Sequence, residues 1–420
     1  MIRYIPVLTL GLFFFSFLIG RVENAYDRIH PQFLFLAISN FLSLLYIFST
    51  FSFEKISNAV KQNKTFLYYS IYIGISVISI LFATNKIESL VVLSQYLTFM
   101  FSFLVILLIV KLYNLNFLKI LIYFTIISLI IESIAVLYSV FDYVLINGNT
   151  FERLNVYRGF SGNVNITAFS LVIKSSFVYY ILFKSKNSLR YDVFGFIILF
   201  FVSSALFFLL TRGAILAFII LNLFIISFLV ISKHNHKIIR FKILFLLLTF
   251  ISSYLTVGPI IRNDISSNLL LDRVSTISIN TEDQSIGERL RFYNVSLKII
   301  SQRPLNGIGV GNWKFESIKY DVGNLEEYRV PYHAHNDFLQ IASETGLLGL
   351  LAYLAIFIYP LKGLLRYLYN SKEKLLGICL IGAMGVYFID SMLNFPIARP
   401  ISHLYFIFIL IGFESLTKSK

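Results

Sequence analysis

The sequence predicts an all-helical integral membrane protein with about twelve transmembrane helices, and three observations carry that expectation. Of the 420 residues, 57% are hydrophobic and 14% charged, with 44 Phe and a mean hydropathy of +0.77, whereas a water-soluble domain carries roughly 25% charged residues. Apolar runs of about 20 residues recur along the whole chain, the helix length that crosses a hydrocarbon core about 30 Å thick. Basic residues gather on alternate connections between these runs. The single cysteine, Cys379, excludes a disulfide framework or a thiolate metal cluster and lies in an apolar run, where it reads as packing.

Taken in order, the spans fall near 4–20, 33–53, 66–83, 89–110, 117–141, 164–183, 193–210, 213–232, 241–258, 338–361, 375–393 and 400–417. Arg3 precedes the first, but Gly20-Arg21-Val22-Glu23 has no small-residue cleavage pattern and a second span follows at once, so a retained helix is expected rather than a signal peptide. With the N-terminus inside, the cytoplasmic connections and tails hold nineteen Lys and Arg, and the short external loops hold seven: Arg21, Arg28, Lys86, Arg153, Arg158, Arg212 and Arg399. This asymmetry predicts that both termini are cytoplasmic. The net charge of +14 is spread over many span-flanking loops rather than one face, which excludes nucleic acid as a partner and leaves membrane lipids.

The expected organisation is an N-terminal bundle over 1–258, a large external loop over 259–337 and a C-terminal bundle over 338–420. Within the loop, Ile286, Leu290, Tyr293, Leu297 and Ile300 recur at helical spacing and predict an amphipathic helix over 286–300 lying on the membrane or the bundle, ended by Pro304. The chain's one Trp, Trp313, follows it. A second external segment, 142–163, carries Arg153 and Arg158.

Three constellations stand out against this apolar background. Arg212 sits in a very short external turn between two spans, against the positive-inside bias; topology-setting is the bland reading, function the sharper one. Glu288-Arg289-Leu290-Arg291 opens the loop helix. Residues two apart on a helix point about 200° apart, so Arg289 and Arg291 cannot face the same ligand, and the bland alternative is two solvated arginines. The third, His333-Ala334-His335-Asn336-Asp337, precedes the tenth span. Asn336 or Asp337 caps a helix starting there, and the helix dipole keeps His335 neutral and able to accept a proton. Asn336, Gln340 and Glu344 then run a polar stripe into the membrane, and Gly346 and Gly349 allow close approach of another helix. A capped, polar helix start accounts for Asn336 and Asp337 but not for Glu344. Gly307-Ile308-Gly309-Val310-Gly311 has neither the strand nor the helix of a dinucleotide site, so a tight loop is expected. The His-x-His-x-Asp spacing suits zinc, but no further His or Cys completes a set nearby.

Arg212-x-x-x-Leu216, then Glu288-Arg289-Leu290, Pro304-x-x-Gly307-x-Gly309-x-Gly311-Asn312, and finally His335-Asn336 with Gly346-x-x-Gly349, in this order around one long external loop, resemble the O-antigen ligase and polymerase superfamily. The motifs cover about 200–350. Tyr293 stands where many members have Trp, and Arg291 where an acidic residue is common.

The resemblance implies a fold similar to the class C glycosyltransferases, in a bacterial inner membrane, and a glycan donor carried on undecaprenyl pyrophosphate. It implies transfer to an acceptor hydroxyl, lipid- or protein-linked, with no cofactor and no metal. Transfer from a pyrophosphate requires neutralising a leaving group that gains charge, which arginine forks can do. Arg212 and Arg289 take that role, and His335 accepts or orients the acceptor proton. Asn336, Arg291, Arg158 and Arg399 are the substrate-binding candidates. Ligase, polymerase and protein O-oligosaccharyltransferase share these motifs. A transporter of lipid-linked sugars is the alternative from another class; it would show paired halves with midplane charges, whereas here the polar groups gather at the external end of one half.

Overall fold

The structure is a computed structural model and describes residues 4–20, 29–148, 159–184, 188–232, 236–261, 284–324, 330–370 and 374–418. Among the described residues the chain is all-helical, with no strand, and eleven helices are long and apolar enough to cross a membrane. The twelfth expected span is shorter. It forms α1 (Ile5–Phe14) and then a 3-10 turn, Ser16–Leu18, a helix of only about 15 Å at 1.5 Å per residue. The Ser16 hydroxyl turns back to the Phe13 carbonyl at 3.0 Å, and Phe13, Phe14 and Phe17 are buried in the bundle. Aromatic packing thus ends a run that hydropathy alone extends to residue 20.

The helices that follow are α2 (Ile29–Thr50), the short α3 (Phe53–Lys61), α4 (Lys64–Ser79), α5 (Lys86–Leu112), α6 (Phe117–Val140), α7 (Val164–Lys184), α8 (Leu189–Leu209), α9 (Arg212–Ile231) and α10 (His236–Ile261). After them come α11 (Gln284–Gln302) and α12 (Trp313–Asp321) of the loop, then α13 (Asp337–Asn370), α14 (Leu375–Leu393) and α15 (Pro400–Lys418). Helix α7 is the hub, packing on α6, α8, α9, α14 and α15. At its middle Lys174 pairs with Glu132 of α6 at 2.7 Å, both side chains 0% exposed, with the ammonium 4.7 Å from the Phe17 ring and 4.4 Å from the Tyr405 ring. A charge pair inside apolar spans costs desolvation and persists only where its partners are close and fixed. Here it ties the 3-10 turn after α1, α6, α7 and α15 into one register.

Helix α11 packs on α13 and α12, so it lies on the bundle. Its covered stripe differs from the expected one: Phe292, Val295 and Ile299 are buried with Ile308, Trp313 and Ala334, while Leu290 is 39% and Leu297 53% exposed. The helix has two apolar stripes, and the loop's own second layer, built around Trp313, covers the one that spacing did not single out. The Trp313 indole N–H donates to Ser296 at 2.9 Å.

The largest departure from a simple span lies in α13. Gly346 adopts φ 73°, ψ 179°, which breaks the helix after Thr345. Instead of admitting a neighbouring helix, Gly346 admits loop backbone: a Cβ there would lie 2.0 Å from the Leu305 carbonyl oxygen. The freed Leu347 amide donates to the Pro304 carbonyl at 2.8 Å, and the Ile308 and Gly309 amides donate to the Ser343 and Glu344 carbonyls at 3.0 and 2.9 Å. The buried Glu344 carboxylate accepts from the Gly311 amide at 2.9 Å, the Trp313 amide at 3.3 Å and the Gln340 side chain at 3.2 Å. Asn312 accepts from the Asn85 amide at 2.7 Å and donates to Ser89 at 2.7 Å. The glycine-rich stretch is therefore a clamp between α13 and the α4–α5 turn, and Glu344 is its anchor.

Candidate active site

The His335-Asn336 pair sits at the start of α13. Asn336 caps it, its side-chain oxygen accepting from the Leu339 amide at 3.1 Å, and the Asp337 carboxylate accepts from the Ile397 amide at 3.1 Å. His335 itself lies in the left-handed region, φ 55°, which costs a non-glycine residue energy unless neighbours hold it. Neighbours do hold it. Phe292 lies nearly parallel to the imidazole at 6.2 Å and Phe395 meets it edge-on at 5.1 Å, and the Tyr293 hydroxyl is 3.2 Å from the His335 carbonyl oxygen. The His335 Nδ1 is buried with no hydrogen-bond partner among the described residues.

Burial, then the positive charges of Arg289 and Arg399, pushes the His335 imidazole down to about 4. The ring is thus neutral at physiological pH, with burial the largest cause and the two arginines next. His333 is pushed down to about 3 by burial and by Arg399; its ring stacks on Phe395 at 4.1 Å. The His-x-His-x-Asp side chains do not converge: His333 is on Phe395, Asp337 is turned to Ile397, and among the described residues no three His, Cys, Asp or Glu side chains group as metal ligands.

Arg289 acts electrostatically on His335, Tyr293 and the buried Asp390, so it faces the helix start. Two residues on, Arg291 pairs with Asp321 of α12 at 3.3 Å and lies 5.3 Å from the Phe292 ring. The two arginines part as helical spacing requires, and Arg291, expected to bind substrate, stands instead in an ion pair inside the loop layer. Arg399 lies over the Phe395 ring at 5.0 Å, beside both histidines. Arg158 lies outside the described residues.

Arg212 opens α9 immediately after a sharp turn in which Leu210 is left-handed, φ 46°. At the next residue, a Cβ on Gly213 would lie 3.1 Å from Leu393 at the end of α14. The preceding residue of that helix, Met392, accepts the Tyr293 hydroxyl at 2.8 Å. The end of α14 and the turn after it thereby meet every site-bearing element: Met392 touches α11, Leu393 touches α9, and Phe395 and Ile397 touch the α13 start. That segment was not legible as part of the site, apart from Arg399. Its one sequence signal is Asp390, an acidic residue at the end of an apolar run, buried, with Asn394 one turn on donating to it at 2.7 Å.

Residues 195–354 match the protein-family model described as O-antigen ligase. The matched stretch contains Arg212, Arg289, the glycine clamp, His335-Asn336 and the Gly346 break. A comparison with the curated proteins finds no match.

Proposed function

We propose that this chain, a member of the O-antigen ligase superfamily by its residues 195–354, is a ligase-type glycosyltransferase that takes a glycan from undecaprenyl pyrophosphate and joins it to an acceptor hydroxyl. The reaction lies on the external face of a bacterial inner membrane, with both termini cytoplasmic, in keeping with the basic residues flanking the opposite ends of the spans. The observation that carries the reading is the meeting of Arg289, Arg399 and a neutral, buried His335 at one end of the bundle, with Gly213, the residue after Arg212, against the same α14 terminus.

The acceptor oxygen attacks the anomeric carbon, the bond from that carbon to the pyrophosphate oxygen breaks, and the pyrophosphate leaves with the electron pair. Arginine forks bind its oxygens in pairs and offset the charge as it develops; Arg289 and Arg212 take this role, with Arg399 and Asn336 holding the substrates. His335 accepts the acceptor proton. An imidazole held near 4 by burial and then by Arg289 and Arg399 is a weak base in the free enzyme. The arriving pyrophosphate brings negative charge to those arginines, which raises the proton affinity of the ring, so the base strengthens only once the donor is in place.

The test is purified protein with lipid-linked donor and a panel of lipid A-core, second-repeat and protein acceptors, with and without chelator. Transfer to a lipid A-core acceptor, unchanged by chelator and lost in His335→Ala, is the expected result. Transfer only to a second lipid-linked repeat or to a protein would reassign the acceptor class, and a rate abolished by chelator and restored by a divalent metal would overturn the metal-independent mechanism.

A further inference from the structure

From the helix that carries Arg289, the Tyr293 side chain touches both the His335-Asn336 pair and the end of α14. Its hydroxyl is 2.8 Å from the Met392 carbonyl oxygen and 3.2 Å from that of His335, and the Asn336 side chain interacts with the same hydroxyl. Arg289 precedes it by four residues, on the same face of α11. A phenol has one proton and can also accept. It therefore donates to one carbonyl at a time, and the His335 carbonyl is one of the two within its reach.

The arrangement acts on a strained residue. His335 has φ 55°, and a non-glycine in that region persists only where the surroundings over-determine it. The phenol reaches the backbone carbonyl of His335 and, through Met392, is fixed to the end of α14, so it restrains the peptide that follows His335 against that helix.

We propose that Tyr293 is a positioning residue for the transfer reaction: its hydroxyl holds the His335-Asn336 peptide in the left-handed turn and so fixes the imidazole relative to Arg289. The proposal rests on the function inferred above for this site. A loss of the hydroxyl alone leaves the ring packing in place and lets the imidazole drift, and a displacement of about 1 Å at a reacting group costs up to roughly 100-fold in rate.

In the purified enzyme with lipid-linked donor, Tyr293→Phe is expected to lower kcat by roughly 10- to 100-fold while the donor KM stays within about twofold. In hydrogen–deuterium exchange the amides of residues 335–337 exchange faster in the variant, and those of Val295–Ile299 keep their protection. Tyr320→Phe, which removes a hydroxyl from the same loop layer where it bonds to Gln302, leaves both readouts unchanged. A Tyr293→Phe enzyme with wild-type kcat, or one whose kcat falls with no change in exchange at 335–337, overturns the proposal. If the wild-type protein transfers glycan to no acceptor, the functional reading fails by itself, and the exchange measurement still decides whether the hydroxyl holds His335.

Discussion

At the scale of single residues, the proposed site centres on a histidine kept neutral by its surroundings. With His335 held at about 4 instead of the ordinary value near 6.5, kcat/KM should stay flat from about pH 8 down to about pH 5 and fall only nearer 4, provided the neutral ring is the working form. A rate already halved near pH 6.5 would show an unperturbed histidine. Arg399→Ala removes one of the two positive charges named as causes, so the acid limb of the residual activity should move to higher pH. Stability follows the same linkage. Between about 4 and 6.5 the unfolded chain binds protons that folded His333 and His335 do not, so stability falls as pH drops through that window. The two loop arginines give a second test. Arg289→Ala should abolish transfer, whereas Arg291→Ala should keep most of the turnover and lower thermal stability, because the carboxylate of Asp321, 3% exposed, loses its ion pair at a cost of roughly 1–3 kcal/mol. Equal loss of transfer in both variants would show that Arg291 reaches the substrate.

At the scale of elements, the break in α13 is what lets the long loop between α10 and α13 dock at a fixed position. The loop backbone hydrogen-bonds to Ser343 and Glu344 and supplies the carbonyl that satisfies Leu347, so α11 and α12 are held on the bundle by main-chain hydrogen bonds together with the Glu344 and Asn312 side chains. Gly346→Ala is expected to be severe. It places a Cβ within 2.0 Å of the Leu305 oxygen at a positive φ that L side chains rarely adopt, and such changes cost more than the roughly 1 kcal/mol of an ordinary glycine replacement. Thermal unfolding in detergent should show a large drop or no folded protein, and wild-type stability with wild-type exchange in residues 304–312 would mean that the clamp is dispensable. The same clamp explains Glu344, which sequence position alone left without a role: its oxygens are acceptors for the amides of Gly311 and Trp313.

At the scale of the whole molecule, sidedness is the testable property. In a background where the single cysteine is replaced, Cys379→Ser, a cysteine at the exposed Ser301 of α11 should react with a membrane-impermeant maleimide in intact spheroplasts. One at the exposed Lys61 of α3 should react only after the membrane is opened. The reverse pattern would invert the orientation and remove the site from the external face.

Composition and the recurrence of apolar runs by themselves determined the all-helical membrane fold, nearly every span and the alternation of basic loops, because a chain in hydrocarbon must satisfy its backbone within each span and keep its charges at the ends. Motif spacing by itself brought out His335, Asn336, Arg289 and Arg212, and helical angles separated Arg289 from Arg291. Only the tertiary structure decided that α1 stops at Phe14, that α11 buries Phe292, Val295 and Ile299, that α13 breaks at Gly346, and that Asp390 to Ile397 border the candidate site. Each of these depends on contacts between residues far apart in the chain: Trp313 on Ser296, Leu305 on Gly346, Tyr293 on Met392. Periodicity shows how many faces a helix has that are fit to be covered; which face is covered follows from what the rest of the fold places against it.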